Sequence, residues 1–342
     1  MQLDLMVPGL PLRQATELAR DAASAGMAGV VVTETGRTAY LTCAALALAG
    51  EPLDILTGIA VAFPRSPMVT AQVAWELAEA SGGRFRLGLG SQVRAHIERR
   101  FGMPYDPPGP RMREYLLALR AAFRAFRGEE PLSFEGRYWS LRLLPAAWSP
   151  GPIAVPDPPV DLAAVNPWML RLAGELADGV HVHPLNTEPY LRETVLPALA
   201  EGAARAGRQV ADLTVICPAF VAAGDRPGQV ERWWERARAQ VAFYGSTPNY
   251  RFLFEQLGRP EVPERIRARQ KAGDLAGMAK EVDDELLEQF CVAGDWASVA
   301  DALRARYGGV ASRVVSYFAG QAWLEDRRAL GPWGELARAL AG

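Results

Sequence analysis

Lysine is nearly absent from this chain. It occurs at Lys271 and Lys280, and every other basic residue is an arginine, scattered along the sequence rather than gathered into a run. With 37 basic against 39 acidic side chains the formal net charge is -2, so the chain lacks the basic stripe that tracks a nucleic-acid backbone. Histidine is scarce as well, present at His96, His181 and His183. The His181 and His183 pair has the spacing found in metal-dependent hydrolase barrels, but such a centre needs more His and carboxylate ligands than this chain supplies, and no metal site is expected. Cysteine is limited to Cys43, Cys217 and Cys291, an odd number without a CxxC pair, which excludes a disulfide framework and a dithiol or zinc motif. No apolar run reaches the roughly 18 residues of a membrane span, and residues 1–8 lack the basic-then-apolar pattern of a signal peptide. The expectation is a cytoplasmic protein with neither nucleic acid nor membrane as partner.

What is present suits a packed interior: 49% hydrophobic and 22% charged residues argue against disorder. Short runs rich in Val, Ile and Leu alternate with segments of helical period, which points to repeated βα units around a buried parallel sheet. Strands are expected at 3–8, 29–34, 55–63, 85–91, 160–165, 179–185, 213–222 and 313–318, and helices at 12–25, 40–49, 68–81, 111–127, 168–177 and 188–206. Gly26, Gly50, Gly82 and Gly207 stand where helices should end, and Asn166 before Pro167 reads as a cap with proline opening the helix. Eight strands in this alternation predict the α/β class and a single (β/α)8 TIM barrel over residues 1–342, in preference to a doubly wound sheet with a second domain. Two insertions interrupt it. Residues 128–159 hold a hairpin at 132–141 and a Pro-rich loop; residues 225–312, the larger insertion, lie between strands seven and eight and read as helical and charged, with Trp233 beside Trp234. Such insertions shape the mouth of a barrel.

In a parallel barrel the chemistry gathers at the carboxyl ends of the strands. That selects Glu34, the stretch after Gly58, the Gly90-Ser91-Gln92 turn, Asn166 and His183. The segment Phe85-Arg86-Leu87-Gly88-Leu89-Gly90-Ser91 either lets a flat ligand or phosphate approach the backbone closely or uses its glycines for strand packing. It lacks the third glycine of a dinucleotide fingerprint and the lysine of a P-loop. Asn166-Pro167 opens a helix whose free N–H groups suit an anion, or is an ordinary cap. His183 titrates near neutral pH if exposed, which suits a proton donor; alternatively it and His181 are half-buried, hydrogen-bonded side chains. His96 follows the glycines and is either a ligand contact or a solvated residue. Trp233 and Trp234 either stack on a ring or pack the insertion. Ser91 has no base nearby and no Gly-x-Ser-x-Gly elbow, so serine hydrolysis has no support.

The ordered combination is more informative than any piece. Ser81-Gly82-Gly83-Arg84-Phe85-Arg86-Leu87-Gly88-Leu89-Gly90-Ser91, Glu98-Arg99-Arg100-Phe101-Gly102 and Arg111-Met112-Arg113-Glu114-Tyr115 run in series with Thr57-Gly58-Ile59-Ala60-Val61-Ala62-Phe63-Pro64-Arg65-Ser66-Pro67, Phe134-Glu135-Gly136-Arg137-Tyr138, Ala163-Ala164-Val165 and Gly174-Glu175-Leu176-Ala177-Asp178-Gly179-Val180 over about residues 1–224. In this the sequence resembles the bacterial luciferase-like family, and within it the branch that uses the deazaflavin coenzyme F420. The resemblance implies a barrel whose largest insertion precedes the last strand, usually as a homodimer. It also implies a non-prolyl cis peptide near Gly58, Ile59 and Ala60 behind the cofactor ring. Gly90, Ser91 and Gln92 would line the ring and phosphate side, Val165, Asn166 and Pro167 would bind the phosphate, and Arg65 and Arg94 are candidates for the anionic tail. The implied activity is hydride transfer between F420 and a small organic substrate, with His183, His96 and Glu34 as candidates for the proton role. The alternatives are an FMN-dependent monooxygenase served by a flavin reductase, and a barrel that has lost its cofactor and serves in binding or assembly. The sequence departs from the family pattern after the second strand, where Glu34 is followed by Thr35, Gly36, Arg37 and Thr38 instead of a histidine, and at Asn166, where glycine is common.

Overall fold

A computed structural model describes residues 1–342. It contains all eight expected strands: β1 (Gln2–Pro8), β2 (Gly29–Thr33), β3 (Asp54–Thr57), β4 (Phe85–Gly90), β5 (Val160–Ala164), β6 (Gly179–Val182), β7 (Thr214–Ala223) and β8 (Arg313–Ser316). They neighbour one another in chain order, with β8 beside β1 and β7 beside β6, the strand order of a closed parallel (β/α)8 barrel. The register is continuous where it positions the site: Ile55 and Leu56 of β3 pair with Phe85 and Arg86, and Leu87, Gly88 and Leu89 of β4 pair with Val160, Asp161 and Leu162. The strands were legible because both faces are covered. β2 is Gly-Val-Val-Val-Thr with its first four residues buried, and β7 is buried at every position after Thr214, which produces an unbroken apolar run rather than an alternating one.

The connecting helices are α1 (Leu12–Ala25), α2 (Ala39–Leu48), α3 (Pro67–Ala80), α4 (Pro108–Arg127), α5 (Pro167–Leu176), α6 (Leu196–Arg205) and α7 (Gln229–Gly245). α1 stops at Gly26, whose φ of 93° is open to glycine and strained for other residues. No helix is long and apolar enough to cross a membrane.

Three expectations need correction. The run 55–63 is not one strand: it breaks at a cis Gly58–Ile59 peptide and resumes as Ala60–Val61, which pairs with Leu89 and Gly90 of β4. The helix expected at 188–206 begins as a π-helical turn, Tyr190–Val195, before α6. The insertion 225–312 is not wholly helical, because Cys291–Gly294 forms a strand parallel to the end of β7, Phe220 opposite Cys291 and Ala223 opposite Gly294. Its cause is the length of β7. Ile216–Ala219 pair with β8, and the four residues beyond would expose unpaired backbone groups that the short strand satisfies. The hairpin is present in reduced form, Phe134–Glu135 against Ser140–Leu141.

Contacts divide the chain into two compact units. One comprises Val7–His181 with Ala198–Thr214. Its outer layer is held by Trp75 of α3, stacked 5.5 Å from Phe123 and edge-on 5.5 Å from Phe126 of α4. Across β4 and β5, Arg86 donates to the buried Asp161 carboxylate at 3.0 and 2.6 Å. The other unit comprises Met1–Met6, Val182–Pro197 and Val215–Gly342. There Arg313 of β8 grips Asp4 of β1 through two bonds of 2.8 and 2.6 Å. Trp233 is buried and stacks 5.2 Å from Phe318, while the Trp234 indole N–H donates to Asp284 at 2.9 Å. Trp233 therefore packs the insertion onto the end of β8, and Trp234 is tied within the insertion.

Candidate functional site

The unit spanning Val7–His181 with Ala198–Thr214 brings together the ends of β2, β3, β4 and β5. β3 ends on Thr57, whose hydroxyl donates to the Gly88 carbonyl at 2.8 Å, and the chain then turns through the cis Gly58–Ile59 peptide. Gly58 is required by close approach, since a Cβ there would sit 2.2 Å from Val31 Cγ1. The resulting bulge is tied down on both sides. Toward β2, the Glu34 N–H donates to the Ile59 carbonyl at 3.3 Å, and the Glu34 carboxylate accepts from Val61 N–H at 2.7 Å. Toward β4, Ala62 N–H donates to the Gly90 carbonyl at 3.0 Å. The Glu34 side chain is 4% exposed and is gripped by the Arg65 guanidinium, which also reaches the Val61 carbonyl at 2.9 Å and Thr38 Oγ1 at 3.3 Å and lies 5.0 Å over the Tyr40 ring. Glu34 and Arg65, which the sequence offered as a proton donor and an anion contact, are thus partners of each other and of the bulge.

The glycines of β4 answer to this same bulge. A Cβ at Gly88 would fall 1.9 Å from the Thr57 carbonyl oxygen and 2.5 Å from His181 Nε2, and one at Gly90 would fall 2.9 Å from Ile59 Cδ1. The missing side chains make room for His181 and Ile59. His181 is buried, with Nε2 3.9 Å from Asp161 Oδ2, so it belongs to the interior beneath the bulge.

Beyond Gly90 the backbone is unusual. Gln92 has φ of 58° and is the one non-glycine residue in the left-handed region, a strained conformation of the kind that clusters at ligand sites. Its Oε1 accepts from Val93 N–H at 2.9 Å, and the Ser91 hydroxyl beside it donates to the Gln92 carbonyl at 3.3 Å. At the end of β5, Asn166 caps α5 by accepting from Met169 N–H at 3.0 Å. Pro167 has no N–H to offer, so the Trp168 N–H is the open donor of that first turn, at the positive end of the helix dipole.

The remaining candidates separate clearly. His96 is exposed on a π-helical turn, His96–Arg100, and Arg100 of that turn donates to the Thr35 carbonyl. Arg94, the second candidate for an anionic tail, is paired with Glu98 at 3.2 Å and with Asp106. In the other unit, His183 follows β6 with its ring 4.7 Å from Tyr244 and 4.0 Å from Tyr250, and burial pushes its pKa down to about 3. Titration near neutral pH is therefore corrected: desolvation keeps this imidazole neutral. Its Nδ1 accepts from Leu185 N–H at 3.0 Å, which places the ring proton on Nε2. Two side chains near it escaped the sequence reading. Tyr244 and Tyr317 share a hydroxyl hydrogen bond of 2.8 Å, and neither carries a motif, because one lies on the insertion and the other just past β8.

A flat ring with an acidic tail fits the first unit on three counts: a fixed backbone face at Gly58–Ala60, a strained turn at Gln92 on the adjacent strand, and a helix N-terminus with an unspent N–H on the next. Comparison with known proteins gives the family and the fold. A family model described as luciferase-like monooxygenase matches residues 2–313. An uncharacterized protein of Mycobacterium tuberculosis is 38% identical over 318 residues, 93% of each chain. The 5,10-methylenetetrahydromethanopterin reductase of Archaeoglobus fulgidus is 28% identical over 265 residues, 75% of this chain and 74% of that one. Among solved structures, the coenzyme F420 dependent tetrahydromethanopterin reductase from Methanopyrus kandleri superposes with a TM-score of 0.79 at 21% identity, covering 98% of this chain and 97% of the other. At that identity the structural likeness speaks for the fold.

Proposed function

The chain belongs to the luciferase-like monooxygenase family, whose members are oxidoreductases, and from that premise we propose that it moves a hydride between the deazaflavin coenzyme F420 and a small organic substrate. The observation that carries this reading is the Gly58–Ala60 bulge, pinned by Glu34 on one side and by Gly90 on the other. A backbone face so held suits a planar ring, and the reductase relative favours a hydride carrier over an oxygen-activating flavin. When bound, F420 supplies the two-electron chemistry that no side chain offers.

In this reading each part of the chain has a task. Gly58, Ile59 and Ala60 back the ring. Gly90, Ser91 and Gln92 line its edge, and the α5 N-terminus, with Val165, Asn166, Pro167 and the Trp168 N–H, receives the phosphate. Glu34, committed to Val61 and Arg65, is a positioning residue. His183 offers a neutral Nε2–H, fixed by the Leu185 bond, as a hydrogen-bond donor to a substrate oxygen. His96, exposed to solvent, is the second candidate for the proton role.

The test is a titration of the purified protein with F420 and, separately, with FMN. Saturable quenching of the deazaflavin fluorescence at micromolar concentration is expected. Binding of FMN alone, with oxygen uptake when reduced FMN is supplied, would assign the chain to the monooxygenases and overturn the proposal, as would binding of neither.

A further inference from the structure

In the unit that contains β7 and β8, three aromatic side chains with polar atoms meet at the carboxyl ends of the strands. His183 follows β6 directly, and Tyr317 follows β8 directly, its N–H donating to the Ala219 carbonyl of β7 at 3.0 Å. Tyr244 of α7 joins them: its ring lies 4.7 Å from the His183 ring, and its hydroxyl lies 2.8 Å from that of Tyr317. Each of the three is half-buried, so the cluster reaches the surface instead of closing beneath it.

The protons of this cluster do not balance internally. Two hydroxyls joined by one hydrogen bond hold two protons, and the bond uses one of them. Tyr307 of the same unit shows the closed arrangement, its hydroxyl donating to Asn186 Oδ1 at 3.0 Å. In the Tyr244 and Tyr317 pair, burial raises the pKa of both phenols, while the shared bond adds to the rise at Tyr244 and opposes it at Tyr317. Tyr244 is therefore the donor and Tyr317 the acceptor, and the Tyr317 proton is left for another partner. The other contacts of Tyr317 are with rings, Phe220 at 4.8 Å and Phe318 at 5.5 Å, and no acceptor in the protein meets its hydroxyl proton. His183 has the same surplus, because its Nδ1 accepts from Leu185 N–H and its proton stands on Nε2. Charge is missing as well. Arg232 and Arg236 cover the face of Trp233 in this unit, and Arg327 covers that of Trp323, but no cation lies over Tyr244, Tyr317 or His183 and none of the three enters an ion pair.

We propose that Tyr317, with Tyr244 behind it, binds the oxygen of an uncharged carbonyl or hydroxyl compound whose apolar body rests against these rings. Such an oxygen accepts the proton that the pair cannot place internally. An ionised ligand would be desolvated there without a counter-charge, which is costly, whereas an apolar ring gains from edge and face contacts with the aromatic side chains. The inference rests on the reading of the chain as an enzyme of small organic molecules and names the class of that substrate, with Tyr317 joining His183 as a donor to it.

Calorimetric titration of the full chain at neutral pH with acetophenone, benzoate and isopropenylbenzene tests it. The three probes share a phenyl body and differ in the group it carries: a carbonyl, a carboxylate or a carbon–carbon double bond. Acetophenone should bind at millimolar concentration or below, and benzoate about tenfold more weakly or not at all. Tyr317→Phe keeps the ring that packs on Phe220 and Phe318 and removes the donor. It should weaken acetophenone about fivefold or more and leave isopropenylbenzene unchanged, whereas a role in packing alone would move both probes alike. Tyr244→Phe should weaken acetophenone less than Tyr317→Phe does. Failure of the wild-type protein to bind acetophenone, benzoate bound as tightly as acetophenone, or an unchanged preference for acetophenone over isopropenylbenzene in Tyr317→Phe overturns the proposal. The F420 titration, run on the same samples, separates the two readings. F420 bound without acetophenone leaves the coenzyme assignment standing and removes this site; acetophenone bound as expected without F420 does the reverse.

Discussion

A methyl group added at Gly88 would meet the Thr57 carbonyl oxygen at 1.9 Å and His181 Nε2 at 2.5 Å, whereas one added at Gly90 would meet Ile59 Cδ1 and Cγ1 at 2.9 Å. The difference lies in what can yield. The Thr57 oxygen is backbone at the mouth of β3, next to a threonine hydroxyl that is itself bonded to Gly88. His181 is buried and has little freedom to swing away. The Ile59 side chain can turn. Overpacking of a close-fitted interior costs about 1–3 kcal/mol and more when backbone must shift, so Gly88→Ala should lower stability by about 3 kcal/mol or more and Gly90→Ala by about 1 kcal/mol. Urea unfolding of the two variants measures this, and equal losses would show that the wall behind Gly88 is not rigid. The two glycines also illustrate what a sequence conceals. Their spacing on an apolar strand offered ligand approach or strand packing equally, and the choice depended on a histidine more than ninety residues away in the chain.

At the scale of the element, the bulge after β3 depends on a residue of β2. Glu34 holds it through the Val61 N–H and through Arg65, with the carboxylate almost wholly enclosed. Glu34→Gln keeps the volume but leaves the Arg65 guanidinium without its counter-charge, and a hydrogen bond to a charged group contributes about 1.5–3 kcal/mol. If that loss passes to the bulge, F420 affinity falls roughly 10- to 100-fold while far-ultraviolet circular dichroism stays unchanged. An unchanged dissociation constant would mean that the bulge does not need the pair. None of this geometry has a local sequence signal. The strands were readable because burial on both faces writes a continuous apolar run, as in Val30-Val31-Val32, and the helices because glycines close them. The break at Gly58 lies inside an apolar run of the same kind and leaves no mark on periodicity; it was expected from family likeness alone. Cys291–Gly294 was invisible for another reason, since four residues are too few to show any period and their pairing is dictated by the overhang of β7.

For the molecule as a whole, the same features that revealed a barrel, namely length, alternation and an interior of Val, Leu and Ala, said nothing about how the side chains ionise once buried. His183 shows the consequence. Sequence offered a group that titrates near neutrality, and burial against Tyr244 and Tyr250 lowers its pKa to about 3. An unfolded chain exposes the same ring at about 6.5, so between these values the unfolded state binds a proton that the native state does not. The stability that this neutral burial contributes is whole above about pH 6.5 and is lost as pH falls toward 3, with a slope of up to about 1.4 kcal/mol per pH unit. Carboxylates act in the same sense at lower pH: the hydrogen bond from Arg259 holds Asp283 below the usual range and that from Arg238 holds Asp284 below it. Both are exposed, so their share is small. Between about pH 4.5 and 6.5 these carboxylates add little, and comparison with a variant at His183 separates its share from those of His96 and His181. His183→Gln retains an acceptor for Leu185 N–H but has no proton to gain, and its melting temperature should decline less than the wild-type value as pH is lowered through that interval, the two curves becoming parallel only below about pH 3, where the ring is protonated in both states. Parallel curves throughout would show that His183 is open enough to water to be protonated in place, and with it the assignment of a fixed neutral Nε2–H donor would fail.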